Sequence, residues 1–386
     1  MTGAELSPNG VEPNGVEDAP RPAPMSGRPW LTWAILAVVV GAFLLEVLFS
    51  LEGPKLDFSV PTLIAMGGLN RSLVFDGGQW YRLFTAPLLH ANAIHILLNG
   101  VVLILVGRVL ERLVGPLWFL ALYVIGGLGG ALMSLALNDP TLTSVGASGA
   151  IMGLCAAILV AAFHLPEGQA RKRVLSLGAR VLIPSLIPVA TNGSGMQVDY
   201  GAHLGGALAG GAAAGLLLAV WGEERRLPPW KPAAATIAAL GVLLSVAAGA
   251  RAVVIYPAFA PLGRLIPESE MPHGTAEIEK RAAGLLARYP DDPRAHLQQA
   301  IALVMAQEAL RAEKELRIGL ALAEPHETYY WGWPLIESLR GLLALDLLDL
   351  DREAEAREVA ARICRAYASP PAASMAQVIF DKHLCE

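Results

Sequence analysis

This chain is short of charge. Only 16% of its 386 residues are charged and 54% are hydrophobic, where a soluble domain carries about 25% charged residues. An ordinary water-soluble globule is thereby excluded. Cysteine is nearly absent too: Cys155, Cys364 and Cys385 are the whole complement. Three cysteines without a C-x-x-C spacing build neither a disulfide framework nor a zinc ribbon. Cys155, inside an apolar segment, reads as packing; Cys364 and Cys385 would pair if their part of the chain faces an oxidising compartment. No basic patch is present, which argues against a nucleic-acid partner.

What charge there is falls unevenly. Residues 1–255 hold 15 Lys and Arg against 14 Asp and Glu, whereas residues 256–386 hold 14 against 20. The first part is oily and near neutral; the second is acidic and water-compatible. A helix crossing a bilayer needs about 20 mostly apolar residues. Seven stretches qualify: Trp30–Phe49, Pro87–Val106, Leu117–Leu137, Val145–Phe163, Val174–Ala190, Ala202–Trp221 and Ala233–Ile255. The fifth is short and carries Arg180, Pro184 and Pro188. Arg108 and Arg112, then Arg171, Lys172 and Arg173, then Arg225, Arg226 and Lys231 lie in alternate short loops, and Arg21 and Arg28 precede the first span. Positive residues stay inside, so the N-terminus is expected in the cytoplasm and, after seven crossings, the C-terminal domain outside.

The expected architecture is all-α. A disordered tail covers 1–28, since its Pro, Gly and Asn leave nothing to bury. A six-helix membrane core covers 29–222, a linker and seventh span 223–256, a second linker 257–273, and a soluble helical domain 274–386. Y-P-D-D-P-R-A at 289–295 marks a helix junction, with Asp292 as N-cap and Pro293 in the first turn. Pairs Pro293–Ala306 with Glu308–Leu322, and Pro334–Leu348 with Asp351–Tyr367, resemble tetratricopeptide-type hairpins, although they repeat at nearer 40 residues than the usual ~34. Such a domain would recruit a protein partner or regulate the core. The aromatic run Tyr329 to Trp333 reads as core between the pairs.

Chemistry concentrates at three places. In T-S-V-G-A-S-G-A-I-M-G, Thr143 to Gly153, Ser148 sits between Gly146 and Gly149 at the outer end of the fourth span. Free N–H groups at a helix N-terminus favour developing negative charge, which suits a nucleophilic serine. The same glycines suit close helix packing, since small-x-x-x-small is common between membrane helices. The sixth span opens D-Y-G-A-H-L-G-G-A-L-A-G-G, which places His203 at the same face as Ser148. A histidine inside a bilayer is costly and usually functional, and a nucleophilic serine needs a base. Asp199, one turn before, reads as a helix cap that could also orient His203. In H-A-N-A-I-H-I-L-L-N, His95 and Asn99 share one helix face and can donate to an oxyanion; His90 at the mouth reads as structural.

With these pieces in this order, the sequence resembles the rhomboids, a family of intramembrane serine proteases. The resemblance covers about residues 75–221. It rests on G-Q-W-Y-R-L-F-T-A-P-L-L-H-A-N-A-I-H-I-L-L-N, on Gly107, Glu111 and Gly115 in G-R-V-L-E-R-L-V-G, on G-A-S-G and on A-H-L-G-G. It implies a catalytic dyad of Ser148 and His203, with oxyanion donors from Asn99, His95 and the Ser148 backbone N–H. It gives Trp80 and Arg82 structural roles in the first outer loop. Met152 takes a position that is often aromatic in the family, where a thioether can still pack on an imidazole. No cofactor or metal is implied; the expected partners are transmembrane protein substrates and the bilayer itself.

Competing readings lack their signatures. A nucleophile elbow needs G-x-S-x-G, and Ala150 stands at its last position. H-E-x-x-H of a zinc protease is absent, as are paired membrane aspartates. A transporter would show a repeat or broken helix pairs, and beside the charges Glu46, Glu111 and Arg180 no such pattern stands at mid-depth. A catalytically inactive relative acting in binding or trafficking is the remaining alternative, and the presence of both Ser148 and His203 argues against it.

Overall fold

A computed structural model describes residues 27–139, 142–187 and 198–386. The tail expected over 1–28 lies, but for its last two residues, outside that set. Helices of thirteen residues or more among the described residues are numbered here in chain order. They are α1 (Trp30–Leu48), α2 (Ala93–Val114), α3 (Pro116–Leu137), α4 (Ser148–Ala161), α5 (Gln169–Leu186), α6 (Tyr200–Val220) and α7 (Lys231–Ile255). The acidic part adds α8 (Thr275–Arg288), α9 (Pro293–Met305), α10 (Ala309–Ala323), α11 (Gly332–Asp349) and α12 (Glu353–Ala366). Two short strands, β1 (Leu69–Asn70) and β2 (Thr143–Ser144), pair antiparallel. The chain is an all-α polytopic bundle with helices appended.

By length and apolarity, five of these helices are able to cross a membrane: α1, α2, α3, α6 and α7. The chain is therefore a multi-pass membrane protein. Helix α4 is apolar but shorter, and α5 carries Arg171, Lys172, Arg173 and Arg180. Boundaries shift from the expected spans for local reasons. Helix α2 begins at Ala93 and not at Pro87 because the Asn92 side chain accepts from the His95 N–H at 2.9 Å and caps it.

Helix α4 is the hub. Eleven residues from Gly149 to Ala161 are buried along its fourteen-residue length, because α3 and α6 close on it through glycine. A Cβ added to Gly153 would stand 2.7 Å from Gly126 Cα on α3, and one on Gly149 3.2 Å from the Ala202 carbonyl on α6. Gly210 faces the Gly153 backbone in the same way. Small residues let helix backbones approach where bilayer lipid offers no hydrophobic drive to hold helices together.

The spacing of Gly107, Glu111 and Gly115 on α2 has a concrete purpose. Gly107 lies against Thr32, where a Cβ would be 3.0 Å from that side chain. One turn on, buried Glu111 accepts from the Leu31 N–H at 2.9 Å, the Thr32 N–H at 2.8 Å and the Thr32 hydroxyl at 2.7 Å. The carboxylate thus caps the first turn of α1, whose N–H groups have no partner of their own. Gly115, at φ +83°, makes the left-handed turn between α2 and α3.

Between α1 and α2 the chain forms a loop with its own small core. Buried Arg82 anchors it, donating from Nη1 to the carbonyls of Ile64 at 2.8 Å and Gly68 at 2.7 Å. The turn after α7 joins that core: Phe259 and Leu262 are buried with Ile64, Ala65 and Leu73. Arg82 lies over the Phe259 ring at 5.6 Å. Tyr330 and Trp331 pack on the same cluster from the C-terminal side, and Trp331 and Trp333 also pack on the core of α9–α12. The aromatic run is therefore interior packing, although the Tyr329 side chain is outside the described set. Asp292 caps α9, accepting from the Arg294 N–H at 2.8 Å, with Pro293 at its first position. Helix α8 precedes the two expected hairpins, and a disulfide joins Cys364 to Cys385.

Candidate functional site

Ser148 is the first residue of α4 and is half-buried. The segment leading to it is pinned on both sides. Ser144 pairs with Leu69 in the two-stranded ladder, and the Gly146 N–H donates to the Ala86 carbonyl at 2.9 Å. Gly146 has φ +121°, a conformation that L side chains rarely adopt. A Cβ there would also stand 2.7 Å from His95 Cε1 and 2.9 Å from His95 Nε2. Glycine is required twice over, and the second reason brings the His95 ring against the serine turn.

His203 lies in the first turn of α6, the helix packed on α4. The Gly149 carbonyl presses on Gly206 and the Ala202 carbonyl on Gly149. Ser148 directly precedes Gly149 and His203 directly follows Ala202, so both side chains spring from adjoining points of two touching helices. His203 Nδ1 donates to the Ser185 carbonyl at 2.8 Å. A carbonyl only accepts, so Nδ1 carries a proton, and in the neutral ring the lone pair falls on Nε2. Ser185 lies in the last turn of α5, where carbonyls have no helical N–H to accept from. Sequence reasoning missed this partner, since nothing local joins a serine backbone to a histidine eighteen residues on.

His95 carries the opposite tautomer. A long 3.5 Å hydrogen bond from the Ala91 N–H reaches its Nδ1, leaving the proton on Nε2, the nitrogen nearest Gly146. Asn99 is buried one turn below, and its Nδ2 has no partner among the described residues. That nitrogen is 3.5 Å from the point where a Gly146 Cβ would be. Buried donors are nearly always satisfied, so an unmatched amide aimed at the serine turn is a donor waiting for an acceptor. A small, open pocket lined among others by Gly146, Gly149, Ala150 and Ala202 lies beside the serine turn.

The remaining expected residues frame the site. His90 is fully buried with its ring edge-on to His95 at 5.0 Å, and its backbone N–H donates to the buried Glu46 carboxylate at 3.0 Å. Glu46 is thus a support for the mouth of α2 that its position in the first span did not reveal. Met152 is buried in the main core. Trp80 is half-exposed and edge-on to Phe75 at 5.4 Å, and Arg82 holds the loop core. Neither joins the side chains facing Gly146. Among the described residues, no three His, Cys, Asp or Glu side chains gather as metal ligands would.

Asp199 caps α6, accepting from the Ala202 N–H at 2.6 Å. It also accepts from three side chains outside that helix: Ser134 at 2.7 Å, Asn138 at 2.6 Å, and Ser144.

Part of the chain is similar to known proteins. Residues 77–220 match the Rhomboid domain family. The chain is 31% identical to Rhomboid protease GluP of Bacillus subtilis over 193 residues, which is 50% of this chain and 36% of that protein. It is 31% identical to RHOMBOID-like protein 5 of Arabidopsis thaliana over 234 residues, 51% of this chain and 74% of that one. Inactive RHOMBOID-like protein 8 of the same plant is 34% identical over 110 residues, 28% of this chain and 31% of its own length. The chain thus spans about a third of the length of one curated protease relative and about three quarters of a plant one.

Proposed function

The chain belongs to the rhomboid family, and from that membership we propose that it is an intramembrane serine endopeptidase acting through Ser148 and His203. The observation that carries the reading is the backbone contact of Gly149 with Gly206 and Ala202, which starts serine and histidine from neighbouring points. His203, with its lone pair on Nε2, takes the Ser148 proton as Oγ attacks a peptide carbonyl. The oxyanion of the tetrahedral intermediate is met by Asn99 Nδ2, His95 Nε2 and the Ser148 N–H. His203 then protonates the leaving amine, and a water deacylates the serine by the same path.

The substrate class is a transmembrane segment of another protein, cut near the outer leaflet. Helix α4 is about 21 Å long at 1.5 Å per residue, and its trailing 3-10 turn adds about 6 Å. Against ~30 Å of hydrocarbon, Ser148 therefore lies a little below the outer boundary. Seven crossings, with α4 and α5 counted, put the N-terminus inside and the C-terminal helices outside, where a disulfide persists. Those helices serve as a recruitment or regulatory module with a protein partner.

The test is labelling of the purified protein in liposomes by a serine-directed phosphonate, beside cleavage of a model transmembrane substrate. Wild type should label and cleave, while Ser148→Ala and His203→Ala should do neither. If wild type neither labels nor cleaves while folded, the chain is a rhomboid-like binding factor and not a protease.

A further inference from the structure

We propose that Asp199 is a positioning residue for the reaction, holding the serine-bearing segment and the histidine-bearing helix in register from outside the site. The inference rests on the Ser148–His203 reading. A carboxylate offers about four lone-pair sites, and here all four are taken by donors from three parts of the chain. On Oδ1, the Ala202 N–H of α6 and Asn138 Nδ2 at the end of α3 each donate at 2.6 Å. On Oδ2, the Ser134 hydroxyl of α3 donates at 2.7 Å, and the Ser144 hydroxyl of β2 donates beside it.

The two ends of this clamp are the two halves of the dyad. Ser144 stands four residues before Ser148, and the stretch between them is extended or turn, with no helix of its own to stiffen it. Asp199 stands four residues before His203, and the His203 N–H donates to the Asp199 carbonyl at 3.1 Å. The Ser144 hydroxyl bond therefore ties the start of one catalytic turn to the start of the other. A cap alone would need only the Ala202 N–H. The Ser134 and Asn138 bonds fix the carboxylate to α3, the helix that both α4 and α6 press on, so they act on the fold and not on the serine segment.

Since a misplacement of 1 Å can cost about 100-fold in rate, loss of the Ser144 link should appear in kcat. Full-length protein in liposomes is assayed with a transmembrane substrate for kcat, KM and melting temperature. Asp199→Ala and Ser144→Ala are expected to lower kcat roughly 10- to 100-fold with KM little changed. Ser144→Thr, which keeps the hydroxyl, should restore it. Ser134→Ala should lower the melting temperature as much as Ser144→Ala yet keep kcat. If Ser144→Ala keeps kcat, or loses no more than Ser134→Ala, the proposal is overturned even when Asp199→Ala fails to fold. Cleavage surviving Ser148→Ala would instead overturn the dyad itself, and the proposal with it.

Discussion

The carbonyl of Gly149 on α4 and Gly206 on α6 touch backbone to backbone, leaving no room for a side chain on Gly206. The neighbour that a Cβ would meet is main chain at the hub of the bundle, which cannot swing aside. Overpacking of this kind costs about 1–3 kcal/mol or more, and pushing α6 outward would carry His203 with it. Gly206→Ala should therefore melt earlier and lose at least ~100-fold in kcat/KM. Gly215→Ala, on the same helix with open space around it, should keep full activity. Equal behaviour of the two variants in a cleavage assay would mean that the close approach does not set the dyad.

Asn99 makes a second prediction. Removing one preorganised oxyanion donor costs about 10²–10³ in kcat, and Asn99→Ala should show that loss with KM nearly unchanged. The variant should also be no less stable than wild type, because its Nδ2 has no partner among the described residues to lose. A raised KM with intact kcat would make Asn99 a substrate-binding group.

The sequence made much of this legible because membrane packing leaves a compositional trace. Gly149, Gly153, Gly206 and Gly210 are spaced for helix contact, and the contacts are those that such spacing permits. His95 and Asn99 at i, i+4 likewise had to share a face. What stayed hidden was made by partners far along the chain. Asp199 looked like a cap, and it is one, but Ser134, Asn138 and Ser144 lie 55 to 65 residues away. No local pattern pairs them. The Ser185 carbonyl is invisible for another reason: a backbone acceptor has no residue type to notice. Phe259 and Leu262 fell in a stretch that read as linker, and their burial depends on a loop nearly two hundred residues earlier.

That burial separates the core from the appended helices. Phe259 is 3% exposed beneath Arg82, and burying a phenylalanine so well makes Phe→Ala worth about 3–5 kcal/mol. Phe259→Ala should lower the melting temperature and weaken cleavage of every substrate. A truncation ending at Gly274 keeps Phe259 and Leu262 and removes only the flanking Tyr330 and Trp331 from that cluster. It should still cleave a generic substrate while changing substrate choice. A folded but inactive truncation would show that the helices are part of the catalytic unit.

Orientation is open to direct measurement through sulfur. Cys155 is buried in α4, and Cys364 and Cys385 are joined, so an impermeant maleimide should not react with intact cells. After an impermeant reductant it should add two labels per chain. Labelling only after the cells are opened would place the C-terminal helices inside and remove one crossing.

The appended domain carries its own pH signature in Asp346. This carboxyl is buried on α11, and Oδ2 has no partner among the described residues. Desolvation, with Glu313 and Asp349 nearby, pushes its pKa up to about 6, from an ordinary value of 3.8. The folded state therefore holds this proton more tightly than the unfolded chain does. Protonation stabilises the fold, so this contribution grows as pH falls from 7 through 6 toward 4 and is absent above about 7. Asp346→Asn imitates the protonated form at every pH. At pH 7.5 it should melt higher than wild type, and the difference should shrink as pH approaches 4.5. The comparison is by thermal melts of the two full-length proteins, because the shared ion pairs of Arg352 with Glu313 and Glu355 cancel between them. A difference that stays constant with pH would mean that Asp346 does not hold a proton in the folded domain.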